Sequence, residues 1–281
     1  MINLLSAALL RLRKNMGFWL ALLAMAAYGV FVGAVCWQRA LEGSVQFGME
    51  EPLLFGFGAI GSFPFHAFVM APLFSAFLGA EYSDGALRNK LIVGRTRQEV
   101  YLSGLLTCVG MALVLMGVYL VTVLAVGFPA VGTFHIPLPR LAALLGVGLL
   151  ALTAYAAVVH LAVTLAGRRS TAITLTLLGA VAAMGLCTYL MSRLEAPEFI
   201  TEYILGASGF EEPAPRPNSA YLPPAARAAV QFVLDLLPTG QCLQTARMTP
   251  GVLWRMPLLS LAVLAASTGA GLFFFRKKDL K

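Results

Sequence analysis

Six stretches of the chain run for nineteen residues or more without an Asp, Glu, Lys or Arg: residues 18–36, 58–80, 101–126, 141–165, 172–191 and 257–275. A hydrocarbon layer about 30 Å thick takes roughly 20 residues of helix to cross. A membrane β-barrel would instead need polar residues at alternate positions of ~10-residue strands, and a run such as LALLAMAAYGVFVGAVC does not alternate. The pattern predicts an all-α, polytopic membrane protein with six transmembrane helices. They form a single transmembrane domain over residues 1–281.

The connections are as informative as the spans. Residues 1–16 place Ile2, Leu5, Leu9, Leu12 and Met16 three or four apart, one apolar stripe on a helix. With Arg11, Arg13 and Lys14 near its end, it predicts an N-terminal amphipathic helix lying at the membrane interface. The first span follows directly, and its length marks it as a retained span rather than a signal-peptide core of about 7 to 15 residues. The second span holds Pro64 and Pro72, which can kink a helix, among Phe63, Phe65, Phe68, Phe74 and Phe77. Phe65, His66 and Phe68 are candidates for a substrate path, with packing against lipid or protein as the alternative. Gly29 and Gly33 form a GxxxG that lets helix backbones approach, within one subunit or across a dimer seam. Residues 192–256 form the longest connection. Its five prolines between Pro213 and Pro224 predict extended, irregular chain. The run AARAAVQFVLDLLPTG reads as a short interfacial helix before the last span, closed by Pro238 and Gly240.

Composition sharpens the class without changing it: 59% hydrophobic residues and a mean hydropathy of +0.82 exceed what a soluble core of this size buries. The net charge of +7 raises the question of nucleic acid, and its distribution answers it. Taken alternately along the chain, one set of connections (the N-terminus, 81–99, Arg168 with Arg169, and the tail) carries a net +9 and the other set −2. Basic connections stay cytoplasmic. Both termini and the 81–98 loop are therefore expected in the cytoplasm, with 192–256 extracytoplasmic. Four cysteines show no disulfide framework and no CxxC spacing, and Cys36 with Cys242 is the pair that would have to meet for a bridge.

Several chemistries are absent. There is no GxxxxGK[ST] loop to cradle phosphates, no HExxH, no GxSxG and no metal-ligand cluster. His66, His135 and His160 are dispersed. No span carries the buried charge on which ion-coupled carriers depend. A mover built this way takes its energy from another polypeptide.

That directs attention to EYSDGALRNKLIVGRTRQEVYLSG, Glu81–Gly104, with seven charges in its first nineteen positions. Asp84 and Gly85 read as a helix start and Gly94 as a stop, while Thr96 and Glu99 make a capping box for the helix that becomes the third span. Leu87 and Leu91, with Val93 or Ile92 near them, fall on one side of the short helix, while Arg88 and Lys90 point away. Glu81, at the unfavourable end of a helix dipole, calls for a cation such as Arg88 or Arg95. Such a helix can seat its apolar residues in a partner's groove, or the segment is a solvated loop that only sets topology.

This segment resembles the one after the second span in six-span permeases of the ABC type-2 exporter family, especially bacterial peptide-exporter and immunity-type members. LPTGQCL before the last span and the tail GLFFFRKKDLK are similar to that group as well. The resemblance implies a non-catalytic permease, paired with a second subunit, usually identical, and with two copies of a separate ABC ATPase that binds ATP and Mg. No cofactor is implied in this chain, and no nucleic acid. It implies that Glu81, Asp84, Gly85, Leu87, Arg88, Asn89 and Leu91, with Arg95 and Arg97, couple to the ATPase. Ala86 stands where many relatives carry Thr. The expected activity is export of a hydrophobic or amphipathic substrate, a peptide toxin or bacteriocin by similarity, across the bacterial cell membrane. The rival readings are a carrier without ATP and a membrane-embedded enzyme. The enzyme's faint pair, Ser75 and His66, sits nine residues apart on opposite helix faces.

Overall fold

The computed structural model describes residues 1–43, 48–57, 65–201, 204–206, 209–211 and 215–278. The chain opens with α1 (Ile2–Arg13) and α2 (Met16–Leu41). A short α3 (Glu50–Leu54) precedes α4 (Phe65–Ser83), α5 (Ala86–Ile92) and α6 (Arg97–Val131). Then come α7 (Leu138–Ala166), α8 (Arg169–Glu195), α9 (Pro224–Leu236), α10 (Pro238–Ala246) and α11 (Arg255–Lys277). Among the described residues, five helices are long and apolar enough to cross a membrane: α2, α6, α7, α8 and α11. They contain the first and the third to sixth predicted spans. The second predicted span begins at Gly58, and its first residues, including Phe63 and Pro64, lie outside the described residues. Its remainder is α4, 19 residues long with Pro72 inside.

Three packings organise the bundle: α2 along α6, α4 along α8, and α11 along α7. The first depends on small residues. A Cβ at Gly33 would stand 2.7 Å from Val126, and one at Gly29 would collide with Thr122, so both glycines face α6 of the same chain. That leaves the GxxxG committed to packing within the subunit. Tyr28 stacks on Tyr119 with ring centroids 5.2 Å apart, and the Tyr119 hydroxyl donates to the Pro52 carbonyl at 2.5 Å. The outward faces remain apolar, with Leu23, Phe31, Val121, Leu178 and Leu258 exposed. Lipid suits such a surface; water does not.

α1 departs from the predicted stripe. It buries Leu4 and Leu12, while Ile2, Leu9 and Met16 are exposed. Met16 lies outside α1 because Asn15 caps α2, its side chain accepting from the Phe18 amide at 3.1 Å. α1 packs against α6.

The long connection between α8 and α11 is more ordered than its prolines suggest, although Pro213 lies outside the described residues. Phe199–Ile200 pairs antiparallel with Arg216–Pro217, and Ile204–Gly206 with Gly209–Glu211. Pro238 and Gly240 do not close the predicted helix into a loop; they open α10. Proline is tolerated in a first helical turn, and Gly240 is needed because a Cβ there would collide with the Leu234 carbonyl. α10 is buried through Thr245, so of these two helices it is α9 that has the exposure expected at an interface. All four cysteines are free and buried, and Cys36 does not bridge Cys242.

Candidate functional site

One end of the bundle gathers the segment singled out by its charge. Gly85 takes φ +69° and Gly94 φ +86°, left-handed values that favour glycine, and they bound α5 on either side. Two residues after Gly94 the Thr96 side chain accepts from the Glu99 amide while the Glu99 carboxylate accepts from the Thr96 amide. This reciprocal cap starts α6 without slack. The predicted helix, stop and capping box are all present. Asp84 makes no side-chain cap on α5.

Glu81, at the end of α4, is buried at 6% exposure. Its Oε1 lies 2.7 Å from Arg11 Nη1 of α1 and 2.7 Å from Lys90 Nζ of α5. The expected partners Arg88 and Arg95 do not take this place. The long Arg11 side chain reaches it from α1, and its guanidinium also lies 4.1 Å from the Phe77 ring centroid. Lys90 reaches it because α5 turns its Lys90 side inward rather than outward. One buried carboxylate thus ties three helices. Such a group stays buried when its charge is matched.

The N-terminus and the end of α11 meet at the same place. The N-terminal amine lies 3.7 Å from Glu99. Arg97 Nη1 donates to the carbonyls of Phe275, Arg276 and Lys278 at 2.9, 3.0 and 2.7 Å, closing the C-terminus of α11. Lys278 Nζ donates to the carbonyls of Thr164 and Leu165 at the end of α7. Partial burial pushes the Lys278 ammonium down from its ordinary value.

The predicted coupling residues therefore divide by what they touch. Leu87 is buried at 6% exposure against Val100, Tyr101 and Phe275, with half-buried Leu91 beside it. This corrects the expectation that the two leucines are free for a partner. Glu81 and Arg97 are occupied within the chain. Asp84, Arg88 and Asn89 are exposed, Gly85 and Arg95 half-buried. The exposed apolar residues are Ile92 and Val93, at 71% and 79% exposure. Sequence reasoning set Val93 or Ile92 near the side shared by Leu87 and Leu91, but both are turned out while Leu87 is buried: if Leu87 and Leu91 face in, the next two positions turn away.

The other candidates fall elsewhere. His66 is buried, its Nδ1 3.1 Å from the Gly56 carbonyl and its ring edge-on to Tyr155. Phe68 is half-buried, and the Phe65 side chain lies outside the described residues. Ser75 Oγ sits 2.7 Å from Thr176 Oγ1 and not beside His66, so the pair an enzyme would need is not assembled. Among the described residues no group of three or more His, Cys, Asp or Glu is placed to hold a metal ion.

At the opposite end lies a network that the sequence reading did not anticipate. Asp235, fully buried, accepts from Arg255 Nε at 2.9 Å, Gln231 at 2.7 Å and Gln244 at 3.1 Å. Gln241 bridges the carbonyls of Asp235 and Met256 and accepts from Ser260. It locks α9 and α10 to the start of α11. A lone Asp among apolar residues of a short helix was the available signal.

Long apolar helices, exposed apolar flanks and a braced short helix at one end define a multi-pass membrane protein. Residues 4–183, from α1 well into α8, match the family described as ABC-2 family transporter protein, and the chain belongs to that family. It is a membrane transport component of the ABC type, a family that normally works with an ABC ATPase. No curated protein matches the chain.

Proposed function

We propose that this chain is the permease subunit of an ATP-driven exporter, and that α5 is the helix through which a separate ATPase moves it. The observation that carries the reading is the combination at α5: a helix braced on its inner side by Leu87 and by Lys90 on Glu81, with Ile92, Val93, Arg88 and Asn89 exposed beyond it. A braced helix transmits a push, and exposed apolar residues flanked by charge suit a protein groove. In this reading α4 is a sixth span. In this reading α5 and both chain ends lie in the cytoplasm of a bacterial cell, with α9 and α10 outside and α1 along the inner leaflet, an orientation that the charge asymmetry of the connections supports.

The working assembly we propose is two copies of this chain with two ATPase subunits, which hold the ATP and Mg. ATP binding draws the ATPases together, α5 follows, and the paired membrane domains exchange inward for outward access. The substrate class is an amphipathic or hydrophobic molecule, an amphipathic peptide foremost. An apolar groove of about 590 Å³ between α7, α8 and the α9–α10 junction, with Val158, Leu165, Ala183 and Leu237 on its walls, supports an apolar cargo.

Purification from native membranes tests the reading. A stoichiometric ATPase that is lost in the Ile92→Asp, Val93→Asp double variant supports it, provided the variant still inserts. Transport by the lone chain in vesicles, or unchanged co-purification of the double variant, overturns it.

A further inference from the structure

The apolar groove between α7 and α8 occupies one half of the bundle. On α7 its wall runs from Tyr155 to Leu165, and on α8 from Leu175 to Ala183. Ten residues of helix rise about 15 Å, half of a hydrocarbon layer about 30 Å thick. Leu165 lies one residue before the end of α7, and its carbonyl accepts from Lys278 Nζ at 3.3 Å, so this half is the one nearer α5. Leu237 and Pro238, at the α9–α10 junction, bound the groove toward the opposite end.

Floor and rim differ in exposure. Tyr155, Val159, Thr176 and Ala180 are buried, while Val158, Leu165 and Leu175 are 40%, 50% and 48% exposed. The opening therefore lies on the apolar flank of the bundle, which lipid covers. Both polar residues of this floor use their hydroxyls within the protein: Tyr155 donates to the Ala67 carbonyl at 3.2 Å, and Thr176 to the Ala172 carbonyl at 2.8 Å. A hydrocarbon chain needs no hydrogen bond, whereas an extended peptide would leave backbone donors and acceptors without partners there. Positive charge stands at the α5 end of the groove. Lys278 touches the Leu165 carbonyl, and exposed Arg168 follows Leu165 by three residues, at most about 11 Å of chain. Neither forms an ion pair among the described residues.

We propose that the α7–α8 groove holds one acyl chain of an anionic phospholipid, taken sideways from the leaflet on the α5 side, with its headgroup beside Arg168 and Lys278. The length of the groove matches the depth of one leaflet, its floor suits hydrocarbon, and the charge at its base suits a phosphate. The site needs a bilayer around α7 and α8 but neither an ATPase nor a cargo. Its failure would leave the exporter reading standing, and loss of that reading would leave this site.

Phosphatidylglycerol with a photoactivatable diazirine on its acyl chain, in nanodiscs holding the full chain, tests the site by mass spectrometry of the labelled peptides. Label should concentrate several-fold on residues 155–165 and 175–183 relative to lipid-facing Val121 of α6. Gly179 lines the groove, and a Cβ built there meets nothing within 4 Å, so a larger side chain has room without displacing a neighbour. Gly179→Phe should lower the groove label to the level at Val121. Arg168→Gln should leave the groove labelled but reduce the preference for phosphatidylglycerol over phosphatidylcholine about fivefold. Groove label no higher than at Val121, groove label unchanged by Gly179→Phe, or equal yields from the two lipid probes in the wild-type chain would each overturn the proposal.

Discussion

Replacing Glu81 by glutamine keeps the shape of the side chain and removes its charge, so it isolates the ion pairs with Arg11 and Lys90. Two limits bound the cost. Removing one partner of a fully buried pair costs about 3–5 kcal/mol, and exposed pairs contribute about 0–1 kcal/mol. The Glu81 side chain is 7% exposed, but those of Arg11 and Lys90 are 37% and 21% exposed and can recover solvent. The loss should fall between the limits, about 1–3 kcal/mol. Thermal unfolding in nanodiscs reads it, and a double-mutant cycle assigns it. Lys90→Met should destabilise the wild-type protein and have little further effect in the Glu81→Gln background. Arg88→Met, the partner suggested by proximity in sequence, should stay within about 0.5 kcal/mol in both backgrounds. Additive effects of Glu81→Gln and Lys90→Met, or a coupling with Arg88 instead, would refute the hub.

Two further substitutions probe the remaining seams. Asp235→Asn removes the charge that holds Arg255 at the α9–α11 lock and should destabilise the protein by about 2–4 kcal/mol, read by thermal unfolding and by faster hydrogen exchange in α10. Gly33→Leu drives a side chain into Val126 and should cost about 1–3 kcal/mol or more by overpacking the α2–α6 seam, with no dependence on protein concentration because the contact lies within one chain.

What the sequence reveals here depends on the range of the interaction. Uncharged runs mark the spans because lipid imposes composition over twenty residues at a time. The Thr96–Glu99 box and the glycines around α5 are legible because a cap involves residues three apart. Glu81 illustrates the limit: local spacing points to Arg88 or Arg95, but the fold brings up Arg11 of α1, far away in sequence, and no periodicity encodes that. Period also gives relative faces without saying which is inward. Leu87 and Leu91 do share a side, and the structure turns that side toward Tyr101 and Phe275, leaving Ile92 and Val93 exposed. Pro238 reads as a stop by propensity, and the collision-free approach of Gly240 to Leu234 makes it a start. The Asp235 network is assembled from α9, α10 and α11, so its members look unrelated in the chain.

In the proposed mechanism α5 is the contact through which an ATPase drives this chain. A thiol placed at its exposed tip, Val93→Cys, measures that contact directly, since the four native cysteines are buried. With a short bifunctional reagent in native membranes, Val93→Cys should link to an ABC ATPase in an ATP-dependent manner, while Tyr221→Cys at the opposite end should not. Linkage from Tyr221→Cys, or none from Val93→Cys when the ATPase is present and the thiol is labelled, would contradict it.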